Sequence, residues 1–277
     1  MIGYGNSMLL STHGILARSA SGGGVDPDAQ AFITAASITD PTQQSAINTL
    51  VTDLKGYSIW TKFKAIYPIV GGSASSHAVN LVTPGTYNLT FSSGWTHSST
   101  GMLPNGTSAY ANTNLIPNSV VSLTSNHFSF YSRTNQAAAA AVDMGCSINP
   151  TEMPLIYVCA KYSSNNYLVY NPDYNVSGIS VSNTDSTGYY AISRTANNLL
   201  KSYKNSTVQG TSTATIVQTG LPTVNIYISG YNYFGGTSGY SAKECAFSSI
   251  GDGLTDAEVS NLYTAVQAFQ TTLGRQV

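Results

Sequence analysis

Val224-Asn225-Ile226-Tyr227-Ile228-Ser229-Gly230 is the stretch that decides the fold class. Val224, Ile226 and Ile228 occupy every second position, and Asn225, Tyr227 and Ser229 lie between them. In extended backbone alternate side chains share a face, so this is the pattern of a half-buried strand. The same period recurs at Tyr87, Leu89 and Phe91, at Phe128 and Phe130, at Ile156, Val158 and Ala160, and at Tyr190 and Ile192. Gly, Pro, Asn and Ser punctuate the intervals, as turns require. Such alternation predicts an antiparallel β-sandwich with one dry and one wet face per sheet. No helical pattern interrupts the strands, which disfavours a parallel α/β sheet. The run Ala137 to Ala141, bracketed by Gly145 and Pro150, predicts a loop or a small-residue strand.

Helical spacing appears only on either side of this block. Asp26-Pro27 and Asp40-Pro41 each read as an N-cap followed by proline at the first helical position. Ala29, Phe32, Ile33 and Ala36, then Ala46, Ile47, Leu50, Val51 and Leu54, follow at three- and four-residue steps. Two helices are expected, over 27–36 and 41–55, and a third helical turn through Trp60, Phe63 and Ile66. Near the C-terminus Thr255-Asp256-Ala257-Glu258 is a capping box. Val259, Leu262, Tyr263, Val266, Phe269 and Leu273 continue it as an apolar stripe that packs on the core. The expected organisation is a flexible or docking segment over 1–24, a helical segment over 25–66, a sandwich over 67–250 and a packed helix over 251–277. Ser21-Gly22-Gly23-Gly24 closes the first segment as a linker. Met8, Leu9, Leu10, Ile15 and Leu16 make that segment a candidate docking peptide, because exposed aliphatic side chains favour burial; a plain tail is the alternative.

Composition narrows the function. The chain has 277 residues, enough to bury about 70–75% of its unfolded surface in one domain. Charged residues are 8% of it, against about 25% in an ordinary soluble protein, and the net charge is −1. Nucleic acid is not an expected partner, since phosphate binding needs clustered Lys and Arg. Cys146, Cys159 and Cys245 form no CxxC pair and suggest buried small hydrophobes rather than a disulfide framework. Asn-x-Ser/Thr triplets at Asn88, Asn105, Asn175 and Asn205 are expected by chance in such a sequence. No apolar run is long enough to span a bilayer, and membrane insertion is not expected. A cleaved signal peptide is not expected either, because no cationic residue precedes Met8-Leu9-Leu10.

Catalytic motifs are hard to assemble. A glycosidase needs two carboxylates about 5–10 Å apart. Between Tyr67 and Ile250 the acids are Asp143, Glu152, Asp173, Asp185 and Glu244, and no two lie within four positions. A cross-strand pair is the route left open to a polysaccharide hydrolase; the expectation is a protein that is not an enzyme. His13, His77, His97 and His127 are dispersed. No cofactor is expected, with calcium at Asn171, Asp173 and Asn175 as the weak alternative: these offer alternate oxygens but lack the glycine and later glutamate of a calcium loop. The stronger candidates are polar aromatic segments. Tyr231, Asn232, Tyr233 and Tyr240, together with Trp95 and His97, are the candidate glycan-binding residues, because such side chains stack on and hydrogen-bond a sugar at low entropic cost. Tyr162, Tyr167, Tyr170 and Tyr174 form a second tyrosine-dense stretch. Ordinary packing or a subunit interface is the other reading of both.

These residues also carry a resemblance. Ala191-Ile192-Ser193-Arg194-Thr195 with Leu200-Lys201-Ser202-Tyr203-Lys204-Asn205-Ser206 resembles the hairpin of concanavalin A-like and laminin-G-like jelly-roll domains; there Gly follows the turn Asn, and here Ser206 does. Val224 to Gly230 resembles the family's late strand, and Cys245 to Gly251 running into Leu254-Thr255-Asp256-Ala257-Glu258 its ending. The order of the Asp26–Asp53 helices, Trp60 to Pro68, Gly94 to Ser98, Leu103 to Thr107 and Gln270 to Arg275 is similar to tailed-phage virion proteins of the head-fibre, decoration or tail-associated kind. The resemblance implies a mainly β, antiparallel concanavalin A-like jelly-roll sandwich with short N-terminal helices and a C-terminal helix. It further implies a place in the virion after assembly in a bacterial cytoplasm, other virion proteins as partners, self-association with a trimer favoured, and host-surface glycan attachment. A free carbohydrate-binding lectin module is the alternative.

Overall fold

The computed structural model describes residues 24–277 except 138, 149–152 and 235. The docking candidates Met8, Leu9, Leu10, Ile15 and Leu16 lie outside the described residues. The two predicted helices are present as Pro27–Ala35 and Pro41–Gly56. Asp26 Oδ1 accepts from the Asp28 amide at 2.9 Å and Asp40 Oδ1 from the Gln43 amide at 2.8 Å. These caps satisfy amides that have no partner within the helix. The C-terminal helix, Asp256–Thr272, begins on the predicted Thr255–Glu258 capping box.

Two sheets form the sandwich. In the first, Thr207–Ser212, Leu199–Lys204, Gly188–Ala196, Asn126–Ser132 and Cys245–Gly251 lie side by side. Phe63–Tyr67 then pairs along one part of Cys245–Gly251, and Met102–Pro104, with Trp95–His97 beyond it, along the other end. The second sheet runs Ile179–Ser182, Asn166–Tyr170, Leu155–Cys159, Met144–Ser147, Tyr227–Ile228, Ala111–Asn112 and Thr90–Phe91. Its short strand Tyr231–Tyr233 runs parallel to Met144–Ser147 and turns back through Gly236–Ser238. Every other strand pair among the described residues is antiparallel.

The period-two expectation holds inside the sandwich but not outside the first sheet. Phe128, Phe130, Tyr190, Ile192 and Ile250 meet Met144, Cys146, Ile156, Val158, Ile226 and Ile228 in the inter-sheet core. The outer side of the first sheet is dry too where the helices cover it. Tyr131, Tyr189, Ala191, Tyr203 and Phe247 pack there beneath Leu50, Val51, Leu54, Leu262, Val266 and Phe269 of the helices. Asn126–Ser132 and Cys245–Gly251 are therefore buried along their whole lengths. The described residues form three layers, helices, sheet and sheet; the outer face of the second sheet carries no helix, and the first sheet is exposed at its Thr207–Ser212 edge.

Three expectations change. The third helical turn is a 3-10 turn, Trp60–Lys62, followed by the strand Phe63–Tyr67. A register shift between Phe63 and Ala65 is the reason. The bulge advances the phase by one residue, so Phe63 and Ile66 share the helix-facing side at a spacing that imitates a helix. The sandwich consequently starts at Phe63 rather than Tyr67. Tyr87 has φ 54° and lies in a turn, so the strand there is only Thr90–Phe91. The deciding stretch supplies Ile226 and Ile228 to the core, but only Tyr227–Ile228 is strand.

Arg275 ties the end of the last helix to the sheet. It is 1% exposed and donates to the carbonyls of Pro68 (2.7 Å) and Ala246 (3.0 Å) and to Gln270 Oε1 (2.6 Å). Burial pulls its guanidinium down to about 9. The Val277 amide donates to the Tyr131 hydroxyl at 3.0 Å, and Asp26 is ion-paired with Lys55 of the second helix at 2.7 Å. Both described ends of the chain thus lie on the helical side.

Candidate functional site

The wet face of the second sheet carries an open groove of about 650 Å³, lined by six tyrosines together with Val142, Leu155, Leu168 and Ser238 among others. Strand alternation places them. In Leu155–Cys159, Ile156 and Val158 point into the core, which turns Tyr157 outward. In Asn166–Tyr170, Tyr167 and Val169 point inward, which turns Leu168 and Tyr170 outward. Tyr162 and Tyr174 come from the loops at either end of that strand. Tyr231 and Tyr233 complete the lining from the parallel strand.

The rings touch in series. Centroid separations are 5.8 Å for Tyr174–Tyr170, 5.7 Å for Tyr170–Tyr157, 5.4 Å for Tyr157–Tyr231 and 6.0 Å for Tyr231–Tyr233. Tyr162 joins at Tyr157, 6.3 Å away. These are the separations at which aromatic pairs attract. Two glycines make the packing feasible. A Cβ on Gly145 would stand 2.9 Å from the Tyr231 ring, and one on Gly178 would stand 2.7 Å from the Tyr170 ring. Burial raises the Tyr157 hydroxyl well above the ordinary phenol value, reinforced by Cys159 and the neighbouring tyrosines. It stays a neutral donor and acceptor.

The two tyrosine-dense stretches, far apart in sequence, therefore meet in one place. Tyr231 and Tyr233 line the groove, whereas Asn232 between them is 4% exposed and donates to the Asn225 carbonyl at 2.8 Å. The alternation that turns its neighbours outward turns it in. Tyr240 is not among the lining residues; its hydroxyl donates to the Thr237 carbonyl at 3.3 Å. Tyr167 is also turned in, with its hydroxyl on the Ala191 carbonyl at 2.9 Å. Trp95 and His97 belong to the edge of the other sheet. There the Trp95 indole donates to the Tyr110 carbonyl at 3.2 Å, and His97 shares a 2.9 Å Nδ1–Nδ1 contact with buried His77. Burial, helped by His97 and Arg275, holds His77 down at about 3. That cluster closes the sandwich edge next to Phe91, 4.7 Å from His97. Tyr157 escaped sequence reasoning although it stands at the outward phase of the recognised Ile156–Ala160 alternation. That phase was the available signal.

Asp173 turns its carboxylate inward to the chain. Oδ1 accepts from the amides of Asn175 (2.8 Å) and Val176 (3.2 Å), and Oδ2 from Gln218 (3.2 Å). Asn171 donates to Asn126 Oδ1. This is an Asx turn closing a loop. Among the described residues no group of three His, Cys, Asp or Glu could hold a metal ion, and no helix is long and apolar enough to cross a membrane. No carboxylate belongs to the described lining of the groove; Glu152 lies outside the described residues. Glu244 is paired with Arg133 at 2.7 Å, and Asp143 with Lys243 at 3.1 Å.

No protein-family model matches the sequence, and no curated protein matches it. Solved structures do. The chain is similar to the HCR/D W1238A mutant, at 12% identity over 75% of this chain and 53% of that one, with a TM-score of 0.50. It thus spans about half of that protein. It is also similar to the binding domain of botulinum neurotoxin serotype D, at 14% identity over 75% of this chain and 52% of that one, TM-score 0.49. A third is domain 4 of AbnA, a GH43 extracellular arabinanase from Geobacillus stearothermophilus, in complex with arabinotriose: 13% identity, 73% of this chain, 98% of that one, TM-score 0.49. At 12% identity the likeness to the HCR/D W1238A mutant is one of fold alone.

Proposed function

We propose that the protein is a non-catalytic, lectin-like β-sandwich that attaches to glycans through the tyrosine groove of its second sheet. The observation that carries this reading is the convergence of six tyrosines from two distant segments on the outer face of the second sheet. Aromatic faces stack on the apolar faces of sugar rings, and phenol hydroxyls satisfy sugar hydroxyls. Concave sites with a few convergent polar groups are the usual form of a ligand site.

The test is binding of the purified chain to a glycan array. Tyr174, 41% exposed, can be changed to Ala without disturbing the core. Tyr174→Ala and Tyr157→Ala are expected to weaken binding at least about tenfold, or about 1.4 kcal/mol. An array that stays blank, or binding untouched by either change, would overturn the proposal. Release of reducing ends from a bound polysaccharide would overturn its non-catalytic half.

The finer reading, supported by the sequence resemblance to tailed-phage virion proteins, is a structural part of a virion. Residues 1–24 would dock it among other virion proteins, self-association as a trimer would cluster its grooves, and host-surface glycan would be the target. Deleting 1–24 is expected to abolish incorporation into particles while leaving the melting temperature of the remainder unchanged. Incorporation that survives the deletion argues instead for a free carbohydrate-binding module.

A further inference from the structure

We propose that the groove selects an extended, uncharged glycan chain several units long over any glycan recognised by an acidic sugar. This rests on the glycan-binding reading above and narrows it to a substrate class.

The first observation is length. Tyr174, Tyr170, Tyr157, Tyr231 and Tyr233 touch in succession with centroid steps of 5.4 to 6.0 Å, and the groove they line measures about 650 Å³. A terminal monosaccharide would fill only part of that groove. A lining of this extent suits a ligand several units long.

The second observation is charge. None of the described lining residues is Lys, Arg, His, Asp or Glu. An anionic sugar entering this face would lose hydration and gain no cation in return, which is costly. The nearby charges do not help it. Asp143, whose field acts on Tyr157, is sealed at 0% exposure against Lys243. Lys161 is 8% exposed and directs its ammonium to Asn135 Oδ1 at 3.2 Å. Asp173, adjacent to Tyr174, is 1% exposed, accepts from the Asn175 and Val176 amides and Gln218, and has no salt bridge among the described residues, so it brings no cation to the groove.

Isothermal titration of the full chain with neutral homo-oligosaccharides, from di- to hexasaccharide, and with matched chains ending in sialic or uronic acid, decides the matter. The expected result is affinity that rises at least tenfold with length among neutral chains and stays flat as salt is raised. Tyr170→Ala is expected to remove at least tenfold of it, and Tyr170→Phe to retain most. Tyr174→Ala is the second variant should Tyr170→Ala lower the melting temperature. Preference for the acidic chains, lost in Tyr174→Ala, overturns this inference and leaves the groove as a glycan site. Affinity independent of chain length overturns it as well. Failure of both glycan classes to bind through the groove overturns this inference and the parent reading together.

Discussion

Asn205 and Ser206 form the two-residue turn between Leu199–Lys204 and Thr207–Ser212, with φ of 48° and 67°. Two positive φ values define the type I′ turn, whose twist suits a hairpin and whose second position favours glycine. Ser206→Gly is therefore expected to stabilise the protein by about 0.5–1 kcal/mol, read as a rise in melting temperature. The hairpin was legible from Asn205 and its flanking strands; its turn type was not, because serine does not announce a left-handed conformation. The buried pair was not legible at all. Lys243 donates to Asp143 at 3.1 Å, both 0% exposed, and Asp143 also accepts from Ser241 Oγ (2.8 Å) and the Ala160 amide (2.7 Å). Nothing in a lone Asp and a lone Lys a hundred residues apart foretells their meeting. Lys243→Met is expected to cost about 3–5 kcal/mol in urea denaturation, since it strands a buried carboxylate.

At the scale of elements, helices and strands differ in how much of them the chain states locally. Both N-terminal helices and the C-terminal one were readable to within a residue or so at most ends, because caps and spacing are neighbours in sequence. Strands of two residues, such as Thr90–Phe91 and Tyr227–Ile228, exist only through their partners. The bulge at Phe63 is the sharpest case: a strand spelled in helical spacing. The groove lies between these extremes. Its tyrosines were visible as two stretches, but the parallel pairing of Tyr231–Tyr233 with Met144–Ser147 that joins them was not. The C-terminal stripe was legible as core, and its place over the sheet gives it the energetics of an interior. Phe269→Ala is expected to cost about 3–5 kcal/mol by thermal or chemical denaturation, as for a large buried aromatic. A helix merely resting on the surface would lose far less.

For the whole molecule, acid is the revealing variable. Burial holds His77 at about 3 and His127 at about 4, against about 6.5 in an unfolded chain. His127 is satisfied as a neutral ring, with Nδ1 donating to the Asp252 carbonyl at 2.6 Å and Nε2 facing Ser249 Oγ at 3.2 Å. Below pH 6.5 the unfolded chain binds protons that the folded one refuses. Stability contributed by these groups is complete above that pH and is lost as pH falls towards 4 and 3. The melting temperature is expected to be level near neutrality and to decline below about pH 6.5. His127→Gln should flatten the decline between about 6.5 and 4 in calorimetric scans. A flat profile for the unmodified chain would contradict the burial of both rings. The three-layer order has one more consequence. Because Asp26 and Val277 are both fastened on the helix-covered side, a bead or chip coupled beside either of these two residues grips the molecule by its back. Copies planted in a row would all turn their tyrosines towards solvent in parallel, and individually feeble contacts would add up to avidity without any change in the contacts themselves.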